Sequence, residues 1–387
     1  MSADHGPSLN HTDARSPGQG LVTGLRGVGK TVLLNRFSEI AEQQEWIVVE
    51  GEVTKNTNFT ALLLRLTRRA LLTLDAPSRW SGFGKKCAAA LRGLTLNASV
   101  DGTMGISWAG FPDPEPGIAD SGDLTMDMTD VIVTLGQAAA ERGRGVIFLL
   151  DELQFAPAEP LGAFITALHK VVQRRLPVTC VGAGLPMLPE LAGEAKSYAE
   201  RLFTNSLIGP LAPSEAEYAI TKPAHERGVN YEPAAVQHMI NFTEGYPFFL
   251  QVFGSIVWST AQGSDLVTAD DVQRAEAIVR DELDTSFFKA RVGGVTDAQR
   301  RYLRALAEAG EAEVPTGDVA ATLGLRSSTQ TGTVREALIR RGLVYSPRLG
   351  YTAFTVPQFG DYMRRHFQLE PHEPTRRPRN RRQPPAA

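Results

Sequence analysis

Short apolar runs alternate with longer amphipathic stretches through the first half of the chain. Gly20-Leu21-Val22-Thr23, Glu45-Trp46-Ile47-Val48-Val49-Glu50, Gly145-Val146-Ile147-Phe148-Leu149-Leu150 and Pro177-Val178-Thr179-Cys180-Val181-Gly182-Ala183-Gly184 are short and rich in branched side chains. They predict strands buried on both faces. Between them, the segment opening at Val32, the leucine-spaced stretch from Phe59 to Leu74, a stretch capped by Asp123 or Thr125 and running to about Arg142, Pro160 to Arg174 and Leu188 to Glu200 predict helices. Thr204-Asn205-Ser206-Leu207-Ile208-Gly209 predicts a fifth strand at the sheet edge. Such alternation gives an α/β fold, a parallel sheet flanked by helices over residues 19–212. Between Pro77 and Ser121 the rhythm breaks. There Leu94-Thr95-Leu96-Asn97-Ala98-Ser99-Val100 and Met104-Gly105-Ile106-Ser107-Trp108, either side of Asp101-Gly102, predict an inserted β-hairpin within residues 77–121.

The C-terminal pattern is different. Helical spacing over Asp297 to Glu308, Thr316 to Leu323 and Ser327 to Arg341, with a turn at Gly324 and then an alternating stretch from Leu343 to Val356, has the order of a winged helix over residues 296–368. Residues 1–18 and 369–387 show no apolar periodicity and predict disorder.

Chemistry enters in the loop after the first strand. Gly24-Leu25-Arg26-Gly27-Val28-Gly29-Lys30-Thr31 fits G-x-x-x-x-G-K-[ST] between a strand and a helix, the setting in which backbone N–H groups form an anion-binding nest. All eight residues are therefore expected around the phosphates of ATP, with Lys30 on the β- and γ-phosphates and the Thr31 hydroxyl on Mg²⁺. The apolar run ending in Asp151-Glu152 supplies the second half: Asp151 to hold Mg²⁺ through its water shell, Glu152 to orient or deprotonate the attacking water. Arg201, between the last helix and the edge strand, sits where ring-forming ATPases present an arginine to a neighbour's γ-phosphate; an ordinary surface salt bridge is the other reading. The third C-terminal helix opens with Ser327, Ser328, Thr329, Gln330 and Thr331, which offer hydrogen bonds, and Arg335, Arg340 and Arg341, with Arg348 in the wing, offer positive charge to duplex DNA. Use of the same module for protein contacts or packing is the alternative.

In these elements the chain resembles the AAA+ ATPases, in the branch of origin-recognition-complex-like proteins with the related archaeal-type and STAND ATPases. The resemblance runs from Gln19 to about Arg365. It is carried by Thr23 to Thr31, by Leu150-Asp151-Glu152, by Val181-Gly182-Ala183-Gly184-Leu185-Pro186 and by Glu244-Gly245-Tyr246-Pro247-Phe248-Phe249-Leu250. It implies a helical lid over residues 213–295, with Pro247 against the nucleotide; a proline at the first position of a helix is the plainer reading of the same residue. Three features depart from that family. Residues 1–18 lack its base-binding segment, Gly182-Ala183-Gly184 stands where many relatives carry a polar sensor, and Phe248-Phe249 stands where many carry a sensor arginine. Slow or partner-stimulated hydrolysis is the expectation.

Composition adjusts this picture little. The 387 residues, 42% hydrophobic and 21% charged, suffice for two or three domains, and the net charge of -3 excludes a chain basic throughout. Positive charge concentrates in the tail at Arg376, Arg377, Arg379, Arg381 and Arg382. No apolar run approaches the roughly 20 residues that span a bilayer, and the start lacks a secretory core, so a cytoplasmic protein is expected. Cys87 and Cys180 have no metal-ligand spacing. The sequence thus predicts an ATP- and Mg²⁺-dependent switch that contacts DNA and works as a homo-oligomer or with a protein partner. The alternatives are a STAND-like scaffold and an ATP binder without turnover.

Overall fold

The computed structural model describes residues 18–80, 82–97, 111–261, 265–310 and 313–369, and these fall into two compact units meeting at Gln273 and Arg274. In the first, five parallel strands, β1 (Gln19–Thr23), β2 (Ile47–Glu52), β3 (Val146–Asp151), β4 (Val178–Gly184) and β5 (Phe203–Leu207), form one sheet in the order β2-β3-β4-β1-β5. Position explains composition. Every residue of β1 and β4 is buried, as is β3 up to Leu150, and these are the apolar runs, whereas the edge strand β5 carries exposed Thr204, Asn205 and Leu207.

Helices cover both faces. One face carries α1 (Lys30–Gln43), whose Leu34 and Ala41 pack on Val22, Ile147, Leu149, Val181 and Ala183. The residues pointing the other way, among them Leu21, Val49, Phe148, Leu150 and Cys180, pack under α2 (Phe59–Leu74), α3 (Gly82–Asn97), α4 (Leu124–Glu141), α5 (Ala158–Gln173), α6 (Leu188–Ala195) and the short α7 (Ala199–Leu202). This one-residue alternation of faces is what a strand's period of two requires. Asp123 caps α4 by accepting from the Met126 amide.

The expected hairpin is corrected by α3. Its buried Cys87, Ala88, Ala90, Leu91 and Leu94 recur at helical spacing, so the Leu94-Thr95-Leu96 alternation is the end of a helix, with the Thr95 hydroxyl donating to the Leu91 carbonyl at 2.7 Å. Residues 98–110, the rest of that expectation, lie outside the described residues, as do residues 1–17 and the arginine-rich tail. The Leu188 to Glu200 helix is broken at Lys196 into α6 and α7.

After β5 come α8 (Pro213–His225), β6 (Asn230–Tyr231), α9 (Pro233–Thr243), α10 (Pro247–Thr260), β7 (Leu266–Val267) and α11 (Ala269–Glu282), with β6 and β7 paired in parallel. Gly245, with φ of +71°, turns the chain from α9 into α10 so tightly that a β carbon there would stand 2.4 Å from the Leu211 carbonyl.

The second unit contains a π-helical segment, Leu283–Phe288, then α12 (Lys289–Val292), α13 (Asp297–Ala309), β8 (Val314–Pro315), α14 (Thr316–Thr322), α15 (Gly332–Arg340), β9 (Val344–Tyr345), β10 (Tyr351–Phe354) and α16 (Phe359–His366). Strand β10 pairs antiparallel with β8 on one side and β9 on the other. The expected third helix is a 3-10 turn, Ser328–Thr331, leading into α15. Thr296 and Gln299 form a capping box at the start of α13. Phe288, Phe354, Phe359 and Tyr362 make an aromatic core. Beside it the 9% exposed Asp284 accepts from Arg365 Nη2 at 2.6 Å and lies 2.8 Å from His366 Nε2. Asp284→Asn keeps the shape and removes the charge. It is expected to lower unfolding stability by about 2 kcal/mol, seen as a lower denaturant midpoint at unchanged slope.

Candidate functional site

The glycine-rich loop leaves β1 at Thr23 and enters α1 through Gly29, the helix N-cap, whose φ of +99° is a left-handed conformation open to glycine at little cost. Gly27 also has positive φ (+88°), and a β carbon there would lie 3.1 Å from Phe248 Cβ and from the Tyr246 ring. Lys30, only 6% exposed, is the first residue of α1, and its ammonium donates to the carbonyls of Gly24 (3.0 Å) and Leu25 (2.9 Å). Burial pushes its pKa below the usual lysine value, opposed by the nearby Glu152 and Asp151 carboxylates.

Loop and acidic pair come from strands that are not neighbours, because β4 lies between β1 and β3. They meet over its glycine-rich end. The Gly24 amide donates to the Gly184 carbonyl at 3.1 Å, and the Thr31 hydroxyl donates to Asp151 Oδ2 at 2.6 Å. The other Asp151 oxygen accepts from the Glu152 amide at 2.8 Å. Glu152 itself has left-handed backbone angles (φ 53°, ψ 35°), a strained conformation for a residue with a β carbon and one that sites hold against local preference. Its Oε2 accepts from Gln154 Nε2 and lies 3.7 Å from Arg26 Nη2.

The helices after β5 reach the loop through α10. The Tyr246 hydroxyl donates to the Arg26 carbonyl, and the Phe248 amide donates to the Gly27 carbonyl at 3.2 Å. These two bonds flank Pro247, at the start of α10. There it lines a groove of about 590 Å³ with Leu211, Ile220, Tyr231, Leu250 and Trp258. Thr31 also lines a recess of about 240 Å³ with Asn35, Glu50, Glu52 and Asp151.

Thus the loop Gly24, Leu25, Arg26, Gly27, Val28, Gly29, Lys30 and Thr31 is joined to Asp151 through Thr31 and to Glu152 through Arg26, and the bonds from Tyr246 and Phe248 bring Pro247 beside it. Arg201 does not join them. The β1–β5 register pairs Gln19 with Phe203 and Thr23 with Leu207, so Arg201 lies at the end of β5 away from the loop, about 17 Å along the strands. It is exposed and has no ion pair among the described residues. Gln154 and Tyr246 were missed as site residues. The signal for Gln154 is an amide three positions past Asp151, and that for Tyr246 is its place beside Pro247 in Gly245-Tyr246-Pro247.

In the second unit, Ser328 is half-buried and Gln330 exposed in the 3-10 turn, the Gln330 side chain accepting from the Arg326 amide at 3.1 Å. Arg335 is half-buried on α15. Arg340 pairs with Glu336 at 3.9 Å, while Arg348, on the β9–β10 hairpin, pairs with Glu313 at 3.3 Å and stacks 3.7 Å over Tyr351.

The residues fit a magnesium nucleotide. A hydroxyl and a carboxylate already in contact suit an ion that takes one or two protein oxygens and its remaining ligands from phosphates and water. No group of three or more His, Cys, Asp or Glu among the described residues is placed to hold a metal. No helix among the described residues is long and apolar enough to cross a membrane.

Residues 9–181 match the family model described as AAA ATPase domain, and residues 285–363 match a domain of unknown function, DUF8462. No curated protein sequence matches. Among solved structures, the Walker-type ATPase of Pyrococcus abyssi is similar in fold, at 14% identity over 89% of this chain and 91% of that chain, with a TM-score of 0.52. The Thermotoga maritima RuvB Holliday junction branch migration motor matches at 15% identity (87% and 85% covered, TM-score 0.41), and the Aeropyrum pernix ORC1 protein in complex with DNA at 16% (93% and 94%, TM-score 0.41).

Proposed function

From the AAA+ P-loop ATPase domain in its N-terminal half, we infer that this chain binds Mg·ATP, hydrolyses it, and uses the cycle as a switch acting on duplex DNA through a C-terminal winged helix. The observation that carries the nucleotide reading is the Thr31–Asp151 hydrogen bond, which joins the two halves of the phosphate site across β4 with Glu152 beside it. Mg²⁺, held by Thr31 and Asp151, would neutralise charge developing on the β- and γ-phosphates. Lys30 leaves its two carbonyl partners for those phosphates, and the loop amides take the remaining oxygens. Glu152 receives the proton of the attacking water. The water oxygen bonds to the γ-phosphorus while the bond from that phosphorus to the bridging oxygen breaks, the electron pair leaving on ADP, so the products are ADP and inorganic phosphate.

The groove beginning at Pro247 suits the base, since its lining is largely apolar and the residues on either side of Pro247, Tyr246 and Phe248, bond to the loop carbonyls of Arg26 and Gly27. Arg201, exposed and remote from its own loop, suits action on the γ-phosphate of a second copy. The DNA reading is supported by the order of α13, β8, α14, α15, β9 and β10 and by exposed Gln330, Arg340 and Arg348, with Ser328 and Arg335 beside them. The carboxylate partners of Arg340 and Arg348 would have to yield to phosphates.

Steady-state ATP hydrolysis by the whole chain, with and without duplex, tests this reading. Stimulation by duplex is expected. The Arg335→Ala, Arg340→Ala, Arg348→Ala triple variant is expected to weaken duplex binding at least 10-fold at low salt and to flatten the salt dependence by about two phosphate contacts. Unchanged binding would leave the second unit a protein-contact module.

A further inference from the structure

Strand β4 ends in Gly182, Ala183 and Gly184 and so directs no polar side chain at the reacting phosphate. The room beside that end is nevertheless filled. A β carbon on Gly182 would meet Leu153 Cδ2 at 2.6 Å, and one on Gly184 would meet Gln154 Oε1 at 2.6 Å and Leu188 Cδ2 at 2.8 Å. Leu153 and Gln154 belong to the 3-10 turn Leu153–Phe155 that follows Glu152, so the turn folds back over β4 where β4 has no side chains.

Gln154 uses that room as a bridge. Its Oε1 accepts from the Leu185 amide at 3.1 Å, just past β4, and its Nε2 donates to Glu152 Oε2. The carboxylate is thereby tied to the backbone of a neighbouring strand. Arg26 Nη2 approaches the same Oε2 at 3.7 Å, and no hydrogen bond among the described residues occupies Glu152 Oε1. Both contacts hold one oxygen and leave the other for a water.

We propose that Gln154 is a positioning residue for hydrolysis, fixing the Glu152 carboxylate against the end of β4 from a place in sequence where no β4 side chain could serve. Gly184 is its steric counterpart. The inference rests on the hydrolysis reading above, because Gln154 acts only through a Glu152 that takes the water's proton.

The test compares kcat, the Kd for ATP and the thermal midpoint of wild type, Gln154→Ala, Gly184→Asn, the double variant and Glu152→Gln. Gln154→Ala is expected to lower kcat about 50-fold, within the range for misplacing a reacting group, with Kd within about 2-fold of wild type. Gly184→Asn, whose side chain collides with Gln154, is expected to lower kcat as well. The double variant puts an amide back into the vacated room from the β4 side, and is expected to turn over faster than either single variant. Wild-type kcat in Gln154→Ala, alongside a collapsed kcat in Glu152→Gln, would overturn the inference while sparing the hydrolysis reading. A Gln154→Ala loss shared equally by Kd and thermal midpoint, and not relieved in the double variant, would overturn it as merely structural. Equal kcat in Glu152→Gln and wild type would instead remove the hydrolysis reading, and the inference with it.

Discussion

Lys30→Ala is expected to abolish measurable ATP binding while leaving the free protein as stable as wild type or more so. The two effects have one origin. In the free chain the Lys30 ammonium is almost wholly buried, held by two neutral carbonyls, and its pKa is lowered chiefly by that burial. Alanine loses those two hydrogen bonds but also removes the desolvation of a charge, so the net change in folding stability is small. With nucleotide present, the same ammonium would face the β- and γ-phosphates, where two charge-assisted bonds are each worth about 2 kcal/mol; losing both would weaken binding by roughly 1000-fold. Titration with a fluorescent ATP analogue reads the affinity and thermal denaturation reads the fold. Retained affinity would place the nucleotide elsewhere. A pH signature separates the burial effect. Because the folded-state pKa lies below 10.5, the unfolded chain holds more protons between those two values, so wild-type stability rises with pH in that window. Lys30→Ala lacks this contribution, and wild type should gain on it as pH climbs toward 10.5.

The strands and the glycine-rich loop between β1 and α1 were legible because their signals are local. A strand buried on both faces must be apolar along its length, and a loop that wraps an anion at a helix N-terminus must place glycine where φ is positive, as at Gly27 and Gly29. The failures came where local signals compete. Leu94-Thr95-Leu96 alternates over three residues, but α3 is decided over a longer span by the burial of Cys87, Ala88, Ala90, Leu91 and Leu94, and packing overrides a short period. The break between α6 and α7 has an apolar pattern running through it and was invisible for the same reason. Gln154 illustrates a different limit: its role depends on Leu185 and Gly184, about thirty positions away and brought near only by the β3–β4 pairing. Tyr246 reaches Arg26 across 220 positions. Contacts of that separation follow from topology, which periodicity does not encode.

Glu152→Gln is expected to lower kcat about 1000-fold while ATP affinity stays within a few-fold of wild type. The substitution is isosteric, and the amide oxygen can still accept from Gln154 and stand near Arg26, so the turn after β3 keeps its form. What it lacks is a carboxylate able to take the proton of the attacking water. Thr31 and Asp151, the residues that would hold the metal, are untouched, as is the loop that cradles the phosphates. One side effect has a defined direction: Glu152 is the main charge holding the Lys30 pKa up, so its loss lowers that pKa further and reduces the charged fraction of Lys30 at high pH. Binding is therefore best compared near neutrality. Single-turnover hydrolysis with ATP in sub-stoichiometric amount reads the chemical step, and filter retention of the bound nucleotide reads affinity. A variant that holds ATP without cleaving it should also prolong whatever duplex-bound or assembled state belongs to the ATP form, and Lys30→Ala should never reach that state. If Glu152→Gln turns over like wild type, the proton goes elsewhere and the site binds ATP without the chemistry assigned to Glu152. If it loses affinity as well as turnover, the carboxylate supports the loop through Arg26 and Lys30, and its part is electrostatic instead of a proton acceptor's.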